Sequence, residues 1–328
     1  MVAGVHLTAG VYVKHGDSVL QAAYQKQGNA PMMRPLRLLV HTPHPERIPM
    51  LVEQYACLPW HILFAVAEEN TAACLEACAS GTCTCVDLPR DCDSSKMGGI
   101  LGLPAGSVHN LLIAPHADGS TDLVYAHSDM WLSRSMPSFI RSRPPNTILL
   151  PAGLDPHCMP LGAKVDLDED IRFHNGNTST MWNTFRNACE AMLRRESAQA
   201  ATEANDEDEA TRLIRVANVC CFGWSDFLYL PAAAQPLFAA MATGPMRGRN
   251  ATDGLSEHEG AIHTIVNAIV SAPRSPFVAE DAACLGSCCG LEGGYDALSP
   301  DTRCAHPVDL RNSSGWDEAR AAAGECPQ

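Results

Sequence analysis

The chain has 328 residues, 46% of them apolar, enough for one large α/β domain or two ordinary ones with a sizeable core. Its formal net charge of −14, with no basic patch, excludes general binding to nucleic acid or to an anionic membrane surface. No run approaches the roughly 18 apolar residues of a membrane-spanning helix, and the opening Met1-Val-Ala-Gly-Val-His6 lacks the charged and apolar regions of a signal peptide.

Residues 1–34 are mixed and poorly periodic, an N-terminal extension broken by Pro31 and Pro35. Leu36 to Val40 reads as a first core strand ending in His41-Thr42-Pro43-His44. A helix over Pro45 to Cys57 follows, with Ile48, Leu51, Val52 and Tyr55 at helical spacing, then a second strand over Trp60 to Val66. This β-α-β unit has the length that a crossover between parallel strands requires. Thr71 to Ala79 opens another helix, and the cysteine- and glycine-rich stretch 83–106 reads as irregular loop. Leu123 to Ala126 is a buried strand. Thr147 to Leu150 is an edge strand in a stretch rich in proline and glycine, and Met181 to Glu196 is an amphipathic helix.

The acidic run Glu203 to Glu209 lacks the turn glycine of a calcium loop and reads as part of a solvated linker, 197–211. Beyond it Leu213 to Val219 is expected as a strand and Pro236 to Met241 as a short helix. Ser256 and Glu259 have capping-box spacing at the start of a helix that buries Ile262, Ile265, Val266, Ile269 and Val270. From Ala279 the chain reads as loop. Residues 35–310 are taken as one domain and 311–328 as a C-terminal tail. The fold class expected is α/β, a single mixed, mostly parallel sheet flanked by helices, with irregular cysteine-rich loops.

Fifteen cysteines are many for this length. They cluster at Cys74, Cys78, Cys83, Cys85 and Cys92, and at Cys284, Cys288, Cys289, Cys304 and Cys326. Neither cluster has the paired C-x2-C knuckles of a zinc ribbon, so disulfides in an oxidising compartment are expected over zinc. Acceptor sequons at Asn177, Asn250 and Asn312 point the same way. The expectation is a secretory-pathway or Golgi lumen, with the cytoplasm and reduced thiols as the alternative.

Five stretches carry residues suited to chemistry. His41 and Thr42 follow the first strand, where an α/β sheet contacts a nucleotide through backbone amides and a hydroxyl; a plain β-α turn is the other reading. No glycine-rich phosphate fingerprint is present, which disfavours a dinucleotide site or an ATPase. The strand Leu123–Ala126 ends in His127-Ser128-Asp129, followed by Trp131. An imidazole and a carboxylate two apart on extended chain can point the same way and hold a divalent cation, with Asp122 in support. Gly223-Trp224-Ser225-Asp226 offers a close turn, a flat indole face for a sugar ring and a carboxylate for hydroxyls, or else a core tryptophan beside a capping aspartate. Glu259 either caps its helix or takes a proton from a hydroxyl. His306 stands in the cysteine-rich tail as a metal ligand or a structural histidine.

In this order the segments resemble a nucleotide-sugar glycosyltransferase of the GT-A type, over roughly 35–310. The resemblance implies that His41, Thr42 and Asp122 contact the nucleotide, that His127, Asp129 and His306 hold Mn2+ or Mg2+, and that Trp131, Gly223 and Trp224 contact the sugar. It gives Asp226 and Glu259 the role of acceptor-binding or base residues, with a glycan or other hydroxyl as acceptor. The family's motif has two acidic residues where this chain has His127 and Asp129, so the metal shell would use an imidazole or be lost. A non-catalytic carbohydrate-binding module and a disulfide- or zinc-stabilised structural protein are the rival expectations.

Overall fold

The computed structural model describes residues 35–42, 44–56, 58–87, 113–152, 158–160, 189–194, 209–221, 223–244, 258–286, 298–299, 301–308, 317, 319 and 321–322. Its frame is a seven-stranded sheet in the order β10-β6-β9-β4-β1-β2-β3. These strands are β1 (Leu36–His41), β2 (Trp60–Val66), β3 (Cys83–Asp87), β4 (Asp122–His127), β6 (Thr147–Leu150), β9 (Phe227–Leu230) and β10 (Val278–Asp281). Only β9 runs against the other six. β1 and β4 are near-continuous apolar runs because both faces of an interior parallel strand are covered. Helices α1 (Ile48–Tyr55) and α2 (Thr71–Ala77) connect the first strands. Later come α3 (Met136–Arg141), α4 (Glu209–Ala217), α5 (Gln235–Thr243) and α6 (His258–Ser271).

The chain builds outward from β1 to β2 and β3, then crosses back to place β4 on β1's other side. The strand order therefore reverses between β1 and β4, whose last residues, His41 and His127, are in register. β9 starts where β4 ends, with Ala126 opposite Phe227. β6 and β10 finish at the same edge, where the Ala282 N–H donates to the Leu150 carbonyl at 2.8 Å. A small second sheet stands there, ordered β11 (Leu285–Gly286), β12 (Cys304–His306), β5 (Trp131–Leu132). A two-stranded pair, β7 (Cys158–Pro160) and β8 (Val219–Cys221), completes the strands among the described residues.

One core cluster packs several of these parts together. Its largest fully buried side chains include Trp131, Tyr55, Phe64 and Phe227. Ala319 and Ala322 belong to the same core, and the Trp131 indole N–H donates to the Ala319 carbonyl at 3.1 Å. The end of the chain thus contributes to the domain interior.

Several expectations are corrected. Leu213 begins no strand: 209–217 is α4, because Ala210, Leu213 and Ile214 recur at helical spacing and are buried on one side. Cys83–Asp87 is the sheet's edge strand rather than loop, and Thr147–Leu150 lies inside the sheet between β10 and β9. Ala279 onward is not loop, since β10, β11 and β12 all fall there. Disulfides join Cys74–Cys85 and Cys78–Cys83 across α2 and β3, and Cys158–Cys221 and Cys189–Cys220 at β8. Cys284–Cys304 ties the exit of β10 to β12. These bridged thiols are not available as zinc ligands, and the bridges fit an oxidising compartment. Of the helix expected at 181–196, residues 189–194 are described and helical. Ser256, the sequons and the acidic run before Glu209 lie outside the described residues, among which no helix is long and apolar enough to cross a membrane.

Candidate functional site

The carboxyl ends of β1 and β4 bring two imidazoles together, His41 and His127, with ring centroids 5.4 Å apart. Strand β4 then gives way to a tight turn in which the Met130 N–H donates to the His127 carbonyl at 2.9 Å. That turn folds Asp129 back, so that its Oδ1 pairs directly with His127 Nδ1. Because β9 is antiparallel to β4, Asp226 arrives at the same place, and its carbonyl accepts the His127 N–H at 2.9 Å.

His306 comes from the far end of the chain. β12 pairs with β5, Ala305 opposite Trp131, and the ladder continues on both sides. The Ser133 N–H donates to the Arg303 carbonyl at 2.8 Å, and the Val308 N–H donates to the Asp129 carbonyl at 2.9 Å. These bonds deliver His306 Nε2 to 3.2 Å from Asp129 Oδ1 and 3.7 Å from Asp226 Oδ2. Ligand atoms of His127, Asp226 and His306 all lie within 4.8 Å of one another.

The cluster is set into the protein but open on one side. His306 is nearly enclosed, whereas the His127 and Asp129 side chains are 19% and 24% exposed. Burial by itself would raise the Asp129 carboxyl. The charges and hydrogen bonds of His127 and His306 outweigh it and hold Asp129 well below the usual carboxylate range. Tyr125, two strand positions before His127, has its hydroxyl pushed up by burial and then by Asp226 and Asp129. Tyr55 is raised by burial and by Asp129, while its hydroxyl donates to the Met130 carbonyl at 2.9 Å and braces the turn.

The chemistry of these donors suits a divalent cation: imidazole nitrogens and carboxylate oxygens, partly desolvated, with an approach from solvent. His127 and His306, with Asp129 or Asp226 as the carboxylate, are the residues that would hold one. The same groups can equally form a closed ion-pair network, since Asp129 already meets both imidazoles.

The other expected site residues fall differently. Asp122 is at the opposite end of β4, about 16 Å away along the strand, where its carboxylate accepts from the Tyr229 hydroxyl and the Ala232 N–H. It closes the start of β4 onto β9 and cannot reach a nucleotide at the carboxyl edge. Thr42 is at that edge but buried, its hydroxyl donating to the His44 carbonyl at 2.9 Å. Trp131 and Trp224 are 1% and 7% exposed members of the core, so neither presents an open face for a ring to stack on. Trp224 instead packs against the His306 ring, centroids 5.6 Å apart.

Gly223 is at its closest approach to α6: a Cβ there would stand 2.4 Å from His263 Cε1. His263 Nε2 lies 3.1 Å from the Trp224 carbonyl and so connects α6 to the segment that carries Asp226. Position 259 is one turn before His263 on the same helix. Sequence reasoning passed over two residues beside the cluster, Arg47 and Ser128, whose buried side chains meet with Nη1 to Oγ at 3.1 Å. In the sequence Arg47 is a lone cation in the segment expected as helix after the first strand, with no spacing that marks a ligand residue.

The sequence matches no protein-family model, and no curated protein matches it.

Proposed function

We propose that this protein is a GT-A-type glycosyltransferase, moving a sugar from a nucleotide-sugar donor to a hydroxyl acceptor with the help of a divalent cation. One observation carries the reading: His127, Asp129, Asp226 and His306, drawn from three separate stretches of sequence, converge beside the β1–β4 reversal. In open α/β sheets ligands bind in the crevice outside the carboxyl ends of the strands at such a reversal. The mixed, mostly parallel sheet supports the same reading of the frame.

The imidazoles favour Mn2+ over Mg2+, which prefers oxygen and retained water. An ion held by His127, Asp129 and His306 would neutralise the charge that develops on a leaving diphosphate. The chain's own groups do the rest. Asp226 accepts the proton of the acceptor hydroxyl, with Glu259 as the second candidate for that role. His41 bounds the nucleotide side of the crevice, and Trp224 keeps the His306 ring in place. A glycan or another hydroxyl compound is the acceptor class, and the disulfides favour a secretory-pathway or Golgi lumen.

The test is release of nucleoside diphosphate from a panel of nucleotide sugars, with Mn2+ and with chelator, in wild type and Asp129→Ala. Metal-dependent release that falls about 10–100-fold or more in the variant is expected; an unchanged rate in Asp129→Ala contradicts the proposal. A second reading, a carbohydrate-binding module without catalysis, is favoured by the direct pairing of Asp129 with both imidazoles. Sugar binding that needs no metal and leads to no turnover would select it.

A further inference from the structure

We infer that Arg47 is the anion anchor of this site, a guanidinium set against the β4–β5 turn to hold the phosphate oxygens of a diphosphate-bearing ligand. The inference rests on the proposed reading of the cluster and deepens it by naming the residue that receives the negative charge.

Arg47 ends a 3-10 turn, Pro45–Arg47, that follows β1 and leads directly into α1. It is 6% exposed. Its Nη1 donates to the Ser128 hydroxyl at 3.1 Å, and Ser128 is fully buried between His127 and Asp129. The buried Nε makes no hydrogen bond, and among the described residues no carboxylate pairs with this guanidinium. A guanidinium carries five N–H donors in a flat fork that matches phosphate oxygens. Burying such a cation with its Nε–H unbonded and no carboxylate beside it is unfavourable unless an anion completes the arrangement.

The charges around it lead to the same conclusion. A divalent cation held by the cluster would offset its carboxylates and leave the Arg47 charge over. A neutral ligand would not use that surplus. A phosphate group shared between the ion and the guanidinium would, through short charge-assisted bonds. Arg47 reaches the turn through Ser128, which sets the proposed anion subsite against the chain segment that carries His127 and Asp129.

The experiment is isothermal titration of wild type, Arg47→Met and Arg47→Lys with two probes, Mn2+ alone and preformed Mn2+–diphosphate. Arg47→Met should weaken binding of the Mn2+–diphosphate complex by about tenfold or more, as removal of one partner of a buried charge pair does. Its affinity for Mn2+ alone should stay within about twofold, and Arg47→Lys should fall between because it keeps the charge and loses the fork. Should Arg47→Met fail to fold, Arg47→Lys carries the test, with a several-fold loss for the complex alone. Equal affinity for the complex in wild type and variant, or no preference of wild type for the complex over Mn2+, overturns the inference. Diphosphate binding that depends on Arg47 but is not displaced by nucleotide sugars would keep the anion anchor and remove the sugar-transfer reading. Nucleotide-sugar turnover that is indifferent to Arg47 would do the reverse.

Discussion

His306 Nε2 stands 3.2 Å from Asp129 Oδ1 because β12 is laid along β5 and the Val308 N–H closes onto the Asp129 carbonyl. The contact is made by backbone pairing first and by side chains second. Cys284–Cys304 adds a covalent tie at the start of the same strand. A histidine remote in sequence is thereby held by strand pairing and a covalent tie.

The acid limb of stability should report this pairing. Asp129 is held below its unfolded value, about 3.9, so the unfolded chain takes up the proton first as pH falls. The stabilisation is therefore present above about pH 4 and is lost as pH drops through the folded value. With chelator present, the stability advantage of wild type over Asp129→Asn, from urea midpoints, should shrink as the pH falls below about 4. An advantage that grows toward acid would show that the pairing has been misread.

Gly223→Ala should be costly although it adds one methyl. The new Cβ would meet the His263 ring at 2.4 to 2.8 Å, and His263 is buried against the Trp224 carbonyl. Overpacking of this kind costs about 1–3 kcal/mol. Thermal unfolding of the variant should show a lower midpoint, and metal affinity should fall with it because Trp224 packs on His306. A variant as stable as wild type would mean that α6 yields at no cost.

The disulfides should not be equivalent. In the loop-entropy description, Cys158–Cys221, with a separation of 63 residues, contributes about 4 kcal/mol, and Cys78–Cys83, with a separation of 5, about 2 kcal/mol. Serine pairs at each bridge, compared by denaturant midpoint, should rank in that order. The reverse order would indicate that the short bridge, not the long one, holds a part of the fold that nothing else secures.

Much of the frame is legible in the sequence where one segment decides its own state. Leu36–Val40 and Leu123–Ala126 are apolar runs that stop at polar residues, and an interior parallel strand has that form. α4 was hidden because Leu213, Ile214 and Val216 look like strand when the acidic turn before them is assigned to a linker. Strands β11 and β12 are too short to show a period; they exist through β5 and through Cys284–Cys304.

The site divides along the same line. His127 and Asp129 follow from a strand end. That Asp226 and His306 join them depends on an antiparallel β9 and on β12 docking, which are non-local. Asp122 misleads because a carboxylate at the start of a strand resembles one at its end until the strand's direction is fixed. Trp131 misleads because an aromatic after a polar turn suits a ligand as well as it suits the core it occupies.

The most direct measurement is Mn2+ binding, followed by the loss of the free-ion electron paramagnetic resonance signal, in wild type, Asp129→Ala and His306→Ala. The account predicts one ion per chain in wild type and affinity reduced by about 10–100-fold or more in both variants. No binding in wild type, or binding that neither substitution weakens, would contradict the claim that these residues from distant strands form one metal-holding site.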